Sequence, residues 1–405
     1  MNFGVSHDGR TVFVAKIVRT IPYGFLGVLF GVYLAQLGFS AVAIGIVLAA
    51  TVLSSAFYTF IISFVADRIG RRRTLVFFAL TDFVAGGLLF LSTAWWGPVL
   101  AGIVGNMTVG AGEVGPFLSL DQAILPKTCE SNRRTLAFSI YNLVGYGASS
   151  VGALLAGVPE YFGSGISAFR PLFLAYMISG LFGAFLYSTL SRDVEVEDIH
   201  AGQKRAVLST EAKPVVLKLS ALFAIDAFGG GFIGQSILAY FFYVRFALSL
   251  SSLGAIFFAT QIITSVSFLL APLIARRVGL LRTMVFTHIP SNIFLTAVAF
   301  APTPLIAVVL LLCRQSTSQM DVPARQSYVM AMVKESDRTA AAGFTNTTRT
   351  VSSSLSPSVA GYAIANIWVA APLLAAGILK LAYDFLIYAS FRKTEPPEET
   401  QSRRR

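Results

Sequence analysis

Charge is scarce in this chain. Of 405 residues only 13% are Asp, Glu, Lys or Arg, about half the share of an ordinary soluble domain. So little charge cannot coat a water-facing exterior, which excludes a conventional soluble fold. Cysteine is scarcer still. Cys129 falls in a predicted loop and Cys313 in a predicted helix, so no disulfide is expected. The three histidines, His7, His200 and His288, are scattered, and neither residue type shows metal-ligand spacing. The phosphate loop G-x-x-x-x-G-K-[ST] is missing, which argues against ATP drive. No nucleophile motif, His cluster or paired-carboxylate site supports an enzyme, and no cofactor is implied. The N-terminus lacks a short apolar core with a small-residue cleavage site, so the first apolar segment is expected to be retained.

What is present is apolar sequence: 55% of the residues are hydrophobic and mean hydropathy is +0.71. The apolar runs are long and continuous rather than alternating, which excludes a porin-like barrel. At about 20 residues per span, the chain predicts an all-α membrane protein of about twelve transmembrane helices. They are placed at 14–36, 41–66, 74–93, 97–125, 135–158, 168–190, 214–244, 250–275, 283–301, 303–330, 339–366 and 369–391.

The net charge of +11 is distributed unevenly. One set of loops holds Arg68, Arg71, Arg72, Arg73, Lys127, Arg133, Arg134, Arg192, Lys204, Arg205, Lys213, Arg276, Arg277, Arg282, Lys334 and Arg338, and the tails add more. The opposite loops hold only Arg170 and Arg245. By the positive-inside rule this predicts a multi-pass protein of the cell membrane with both termini cytoplasmic. The charge is a topology signal, and no nucleic-acid partner is expected.

The chain repeats itself. At an offset of 204, Gln122, Arg134, Thr135, Ala137, Asn142, Ser149, Ser150 and Gly157 meet identical residues. At 209, VADRIGRRRTLVF (65–77) meets IARRVGLLRTMVF (274–286), and at 207, GFLG (24–27) meets GFIG (231–234). The mixed-charge stretch 191–213 lies between the copies. The expected organisation is a six-helix bundle over 1–190, a cytoplasmic linker over 191–213, a second bundle over 214–392 and a cytoplasmic tail over 393–405. Parallel repeats of this kind are one of the transporter plans.

Asp67-Arg68-Ile69-Gly70-Arg71-Arg72-Arg73, between spans two and three, matches the D-R-x-G-R-[RK] signature of the major facilitator superfamily. With the span count and midpoint linker, the whole chain resembles that superfamily. The resemblance implies two pseudo-symmetric six-helix bundles, a central cavity lined by spans one, four, seven and ten, and a latch formed by Asp67, Arg68, Gly70, Arg71 and Arg72. The second copy has Arg276 in place of Asp67, so a latch would be asymmetric. The chain departs from the proton-coupled drug exporters. It has Asn106 where that subfamily carries a buried arginine, and span five lacks the G-P-x-x-G-G bend.

Ionisable residues at membrane depth are functional candidates. In span four, Glu113 lies among glycines and is read as a proton-coupling group or as the partner of Arg314 or Arg349. Asp226 is the second proton-coupling candidate. Arg19 and Asp226 occupy equivalent repeat positions, which predicts that they face each other across the cavity. A snorkelling Arg19 is the rival reading. Arg314, Thr317, Asp321 and Arg325 recur at helical spacing on span ten, and Arg349 joins a hydroxyl-rich stripe on span eleven. Asn106, Asn142 and Gln235 complete the cavity candidates. Asp121 is read as an interfacial or latch residue, and Lys380 with Asp384 as a self-neutralising i,i+4 pair. The expected function is a secondary transporter moving a small organic solute by alternating access, with protons as coupling ion, of efflux type, and acting as a monomer in the lipid bilayer. An organic-anion carrier with an arginine clamp, and a transport-inactive membrane sensor of the same fold, stay open as alternatives.

Overall fold

The computed structural model describes residues 6–92, 94–108, 115–129, 134–163, 165–195, 208–334 and 337–393. Apolar sequence of this length must satisfy its backbone internally, which a helix does. Among the described residues there are fifteen α-helices: α1 (His7–Gln36), α2 (Ala41–Ile69), α3 (Arg71–Leu91), α4 (Trp96–Val104), α5 (Pro116–Ile124), α6 (Arg134–Leu155), α7 (Arg170–Ser188), α8 (Lys213–Gly231), α9 (Gln235–Phe246), α10 (Leu250–Val278), α11 (Leu280–Ala299), α12 (Pro304–Thr317), α13 (Asp321–Ala331), α14 (Arg338–Asn366) and α15 (Ala371–Phe391). Starts are set locally. Ser6, Ser40 and Thr303 accept from the backbone N–H three residues on, capping α1, α2 and α12. Seven segments among the described residues are long and apolar enough to cross a membrane by themselves. Large apolar side chains point outward on many helices, Phe57, Phe77, Phe185 and Phe385 among them. On a membrane protein that surface meets lipid.

Contacts divide the chain into two compact units, Met1–Ile199 with Gly234–Ile262, and His200–Ile233 with Ile263–Arg405. In the first, α1 packs on α6 and α9, and α3 on α7. Its apolar core includes Phe78, Phe117, Tyr141 and Tyr187, with the Phe117 and Tyr187 rings stacked at 5.8 Å. In the second, α8 packs on α14 and α11 on α15, around Phe223, Tyr328, Tyr383 and Phe391.

The repeat in the sequence is a repeat in packing. A Cβ on Gly24 would lie 2.1 Å from the Ser149 carbonyl oxygen, and one on Gly231 would lie 2.5 Å from that of Ser353. Gly24 and Gly231 are one repeat apart, as are Ser149 and Ser353. The GFLG and GFIG copies therefore mark the same close approach of two helices, made twice. Likewise Gly70 and Gly279, between α2 and α3 and between α10 and α11, take φ of 104° and 92°, which a side chain would strain.

Candidate functional site

Spans four, seven and ten, each expected as one continuous helix, are interrupted. α4 ends at Val104 and α5 begins at Pro116. Gly105 is extended, and Gly115, at φ 118°, leads into the proline. α8 gives way to α9 through Phe232, Ile233 and an extended Gly234, after the glycine run Gly229–Gly231 that ends α8. α12 and α13 are separated by a turn at Ser318–Met320. The predicted stripe Arg314–Thr317–Asp321–Arg325 is thus divided between two helices, with Arg314 and Thr317 on α12 and Asp321 and Arg325 on α13. Broken backbone is tolerated at membrane depth where it is buried in protein or lines a cavity, and transporters build their sites there.

In the first unit, Arg19 of α1 is buried and reaches Asp121 of α5, Nη2 to Oδ2 at 2.6 Å. It also donates to the Tyr141 hydroxyl at 2.9 Å and to the Tyr187 hydroxyl. Tyr141 donates to the same Asp121 oxygen at 2.8 Å. Arg19 is therefore held inside the protein rather than snorkelling to its surface, and Asp121 is fully buried beside it. Lys16, one turn earlier, lies 4.3 Å over the Tyr141 ring. Near the break in span four, Asp82 of α3 accepts from the Tyr23 and Tyr176 hydroxyls at 2.8 and 2.9 Å and from the Asn106 N–H at 2.9 Å. Asn106 is buried, with its amide nitrogen on Thr81 at 3.1 Å and its oxygen without a partner among the described residues.

In the second unit the charges converge on Asp226 of α8. One carboxylate oxygen takes Lys380 of α15 at 2.6 Å; the other takes Arg349 of α14 at 2.8 Å and Arg325 of α13 at 3.4 Å. Arg325 also holds Asp321 at 2.8 Å. His288 of α11 places Nδ1 2.7 Å from Asp384 and Nε2 3.7 Å from Asp226. Asn292 donates to the other Asp384 oxygen at 2.9 Å. Lys380 and Asp384 thus serve different partners instead of neutralising each other along α15. Three carboxylates meet three cations here, so the cluster is neutral when the imidazole is.

The two clusters are related. Asp226 is the repeat counterpart of Arg19 at offset 207, and Arg325 that of Asp121 at offset 204. Each repeat closes an ion pair between its first and fourth spans, with the polarity reversed. Arg19 and Asp226 each have a charged partner within their own unit.

The other candidates scatter. Gln235, buried at the start of α9, accepts from Gln261 at 3.2 Å, and Gln261 also donates to Ser149 at 3.1 Å. Arg314 is buried and donates to Gln315, while its Nε and the Thr317 hydroxyl have no partner among the described residues. Asn142 is exposed on α6. Glu113 and the side chain of Asp67 lie outside the described residues, and Arg68 is exposed. The rest of the latch motif binds Glu195. Its carboxylate accepts from the Arg71 and Arg72 backbone N–H groups at 2.6 and 3.2 Å, as an anion does at a helix N-terminus. The Arg71 and Arg72 guanidinium groups donate to the carbonyls of Ala123 and Leu190, both at 3.1 Å. Sequence reasoning passed over Glu195 and His288. The signal for His288 was the polar ladder His288–Asn292–Thr296 on span nine, opposite no obvious partner in sequence.

Buried ion pairs, broken helices and repeated packing are features of a polytopic membrane protein. The family model described as Major Facilitator Superfamily matches residues 12–357, and the chain belongs to that family. It is a multi-pass membrane transporter. Its relatives include the "Uncharacterized membrane protein YJR124C" of Saccharomyces cerevisiae, 24% identical, covering 95% of this chain and 94% of that protein. Among solved structures, a point mutant of the nucleoside transporter NupG superposes with TM-score 0.77 at 16% identity over 95% of this chain and 99% of that one. A D-xylose-proton symporter superposes with TM-score 0.72 at 14% identity over 94% and 97%. At these identities the likeness is one of fold.

Proposed function

We propose that this chain is a proton-coupled secondary transporter that moves a small organic solute across the cell membrane by alternating access, exporting it. Its working halves are 1–190 and 214–392, joined by a cytoplasmic linker at 191–213, with both termini cytoplasmic. The observation that carries the reading is Asp226. It is a buried carboxylate just before the break in span seven, shared by Lys380, Arg349 and Arg325 from three other helices. A carboxylate with three claimants can exchange them at small cost when the local charge changes, and a proton or a charged solute supplies that change. That the same fold serves a D-xylose-proton symporter agrees with such coupling. The experiment is uptake by proteoliposomes of uridine, D-xylose and benzoate, with and without an imposed pH gradient. At least one solute should accumulate only with the gradient. Equal uptake in both conditions would remove proton coupling.

A second reading, an organic-anion carrier, is favoured by Arg314. Its guanidinium is buried, meets no carboxylate within 4.0 Å among the described residues, and leaves Nε unpartnered beside the orphaned Thr317 hydroxyl. In the same assay this reading predicts uptake of benzoate and not of D-xylose, and loss of that uptake in Arg314→Gln.

A further inference from the structure

The buried imidazole of His288 has no part in the reading above. It sits between two carboxylates of the same cluster. Nδ1 lies 2.7 Å from Asp384, a hydrogen-bond distance that places one shared proton on that side of the ring. Nε2 faces Asp226 at 3.7 Å, longer than a hydrogen bond. In the neutral ring, Nε2 then presents a lone pair to a carboxylate. A proton on Nε2 would turn that contact into a charge-assisted donor. Against the ring stand Asp226 from α8, Asn292 from α11, with its amide nitrogen 3.2 Å from Nδ1, and Tyr383 and Asp384 from α15; around Asp226 stand Lys380, Arg349 and Arg325, the last of which also holds Asp321. Of the side-chain types in this set, imidazole is the one whose ordinary value lies near neutrality.

We propose that His288 is the proton-accepting group of the transport cycle, positioned by Asp384, and that its protonation draws Asp226 away from Arg349. The proton enters Nε2 from the aqueous phase and returns to it on the other side, and no other bond is made or broken. Arg349 is the claimant that yields, because its side chain is 23% exposed against 9% for Lys380 and 10% for Arg325. It is the cation of the three best placed to meet water or solute when released. Asn292, which donates to the other Asp384 oxygen, fixes the carboxylate that fixes the ring. Asp384 acts through His288 as a positioning residue.

This proposal rests on the proton-coupled reading, but its test does not need a solute. The chain has three histidines. His7 is exposed at the start of α1, and His200 lies in the linker. The full chain carrying His7→Gln and His200→Gln, labelled with ¹⁵N-histidine and placed in lipid nanodiscs, reports His288 alone. Its two ring nitrogens should pass from neutral to imidazolium shifts between about pH 8 and pH 5, with the neutral form carrying its proton on Nδ1. Asp384→Asn should shift the neutral form toward the Nε2 tautomer. A ring that keeps one charge state across that range overturns the proposal. An unchanged tautomer in Asp384→Asn removes Asp384 from it. In proteoliposomes, His288→Gln should lose gradient-driven accumulation of the solute that the wild type accumulates, and wild-type accumulation by that variant would also overturn it. Absence of gradient-driven uptake in the wild type would remove the coupling reading instead, while the ring shifts still report whether His288 takes the proton.

Discussion

The Arg19–Asp121 pair gives the sharpest test of how the first unit is held. Both side chains are almost completely buried, 5% and 0% exposed, with 2.6 Å between nitrogen and oxygen. Asp121→Asn keeps the shape and removes the charge. The guanidinium then keeps neutral partners such as the Tyr141 and Tyr187 hydroxyls but loses its counter-charge in a dry site, and breaking a buried pair in this way costs about 3–5 kcal/mol. Arg19→Met strands the carboxylate and should cost a similar amount. The double variant Arg19→Met/Asp121→Asn strands neither charge. Its penalty comes from neutral polar groups that lose partners, the Tyr141 and Tyr187 hydroxyls among them, about 1 kcal/mol each. The double variant should therefore be more stable than either single one, and the single losses should be far from additive. Equilibrium unfolding of the four proteins in mixed micelles measures the cycle. Additive losses, or a cost for Asp121→Asn under about 1 kcal/mol, would refute the account of this pair as a tightly coupled buried contact.

Three further outcomes follow from particular contacts. Glu195→Gln weakens the anion at the start of α3 and should cost about 0.5–2 kcal/mol, seen as faster hydrogen exchange at the Arg71 and Arg72 amides. Gly24→Ala and Gly231→Ala place a methyl group 2.1 and 2.5 Å from a facing carbonyl oxygen, so both should lower the melting temperature. Gly147→Ala, with nothing within 4 Å of its added carbon, should leave it unchanged or raise it. At the loop before α14, the Ser209 backbone N–H and hydroxyl donate to Asp337 at 2.9 and 2.8 Å. They hold that carboxyl below its usual range, the backbone bond contributing most. A carboxyl depressed in the folded state stabilises above its unfolded value, near about 3.9, and loses that contribution as pH falls through the folded value. Protection of the Ser209 amide from hydrogen exchange should therefore hold at neutral pH and fall below about pH 4, and Asp337→Asn should abolish that pH dependence.

Much of the fold was legible in the sequence because membrane helices announce themselves by length and hydropathy, and because the repeat survived at residues that contact demands. Gly24 and Gly231 persist where two helices touch, and Gly70 and Gly279 where the backbone turns with positive φ. The breaks in spans four, seven and ten were not legible. Glycines and hydroxyl residues such as Gly229–Gly231 and Ser316–Ser318 occur within intact membrane helices as well, and only tertiary support lets the backbone open there. The charged residues could be found but not paired. Arg19 and Asp121 are 102 positions apart, and nothing along the chain says which carboxylate a buried arginine will meet. The relation between the pairs was encoded all the same, since the offsets 207 and 204 carry Arg19 and Asp121 onto Asp226 and Arg325. It went unread because Arg19 and Asp226 were compared with each other instead of with their partners. His288 was passed over because a lone histidine carries no pattern until Asp384, 96 residues later, folds against it.

The central claim, that solute movement is coupled to protons through the Asp226 cluster, is tested most directly by reading the proton itself. Proteoliposomes loaded with a pH-sensitive dye, and started at equal pH on both sides, are given a gradient of the solute that the wild type accumulates. The account predicts a change of internal pH that tracks solute flux in the wild type and disappears in Asp226→Asn. Solute flux in the wild type with no movement of protons would contradict it.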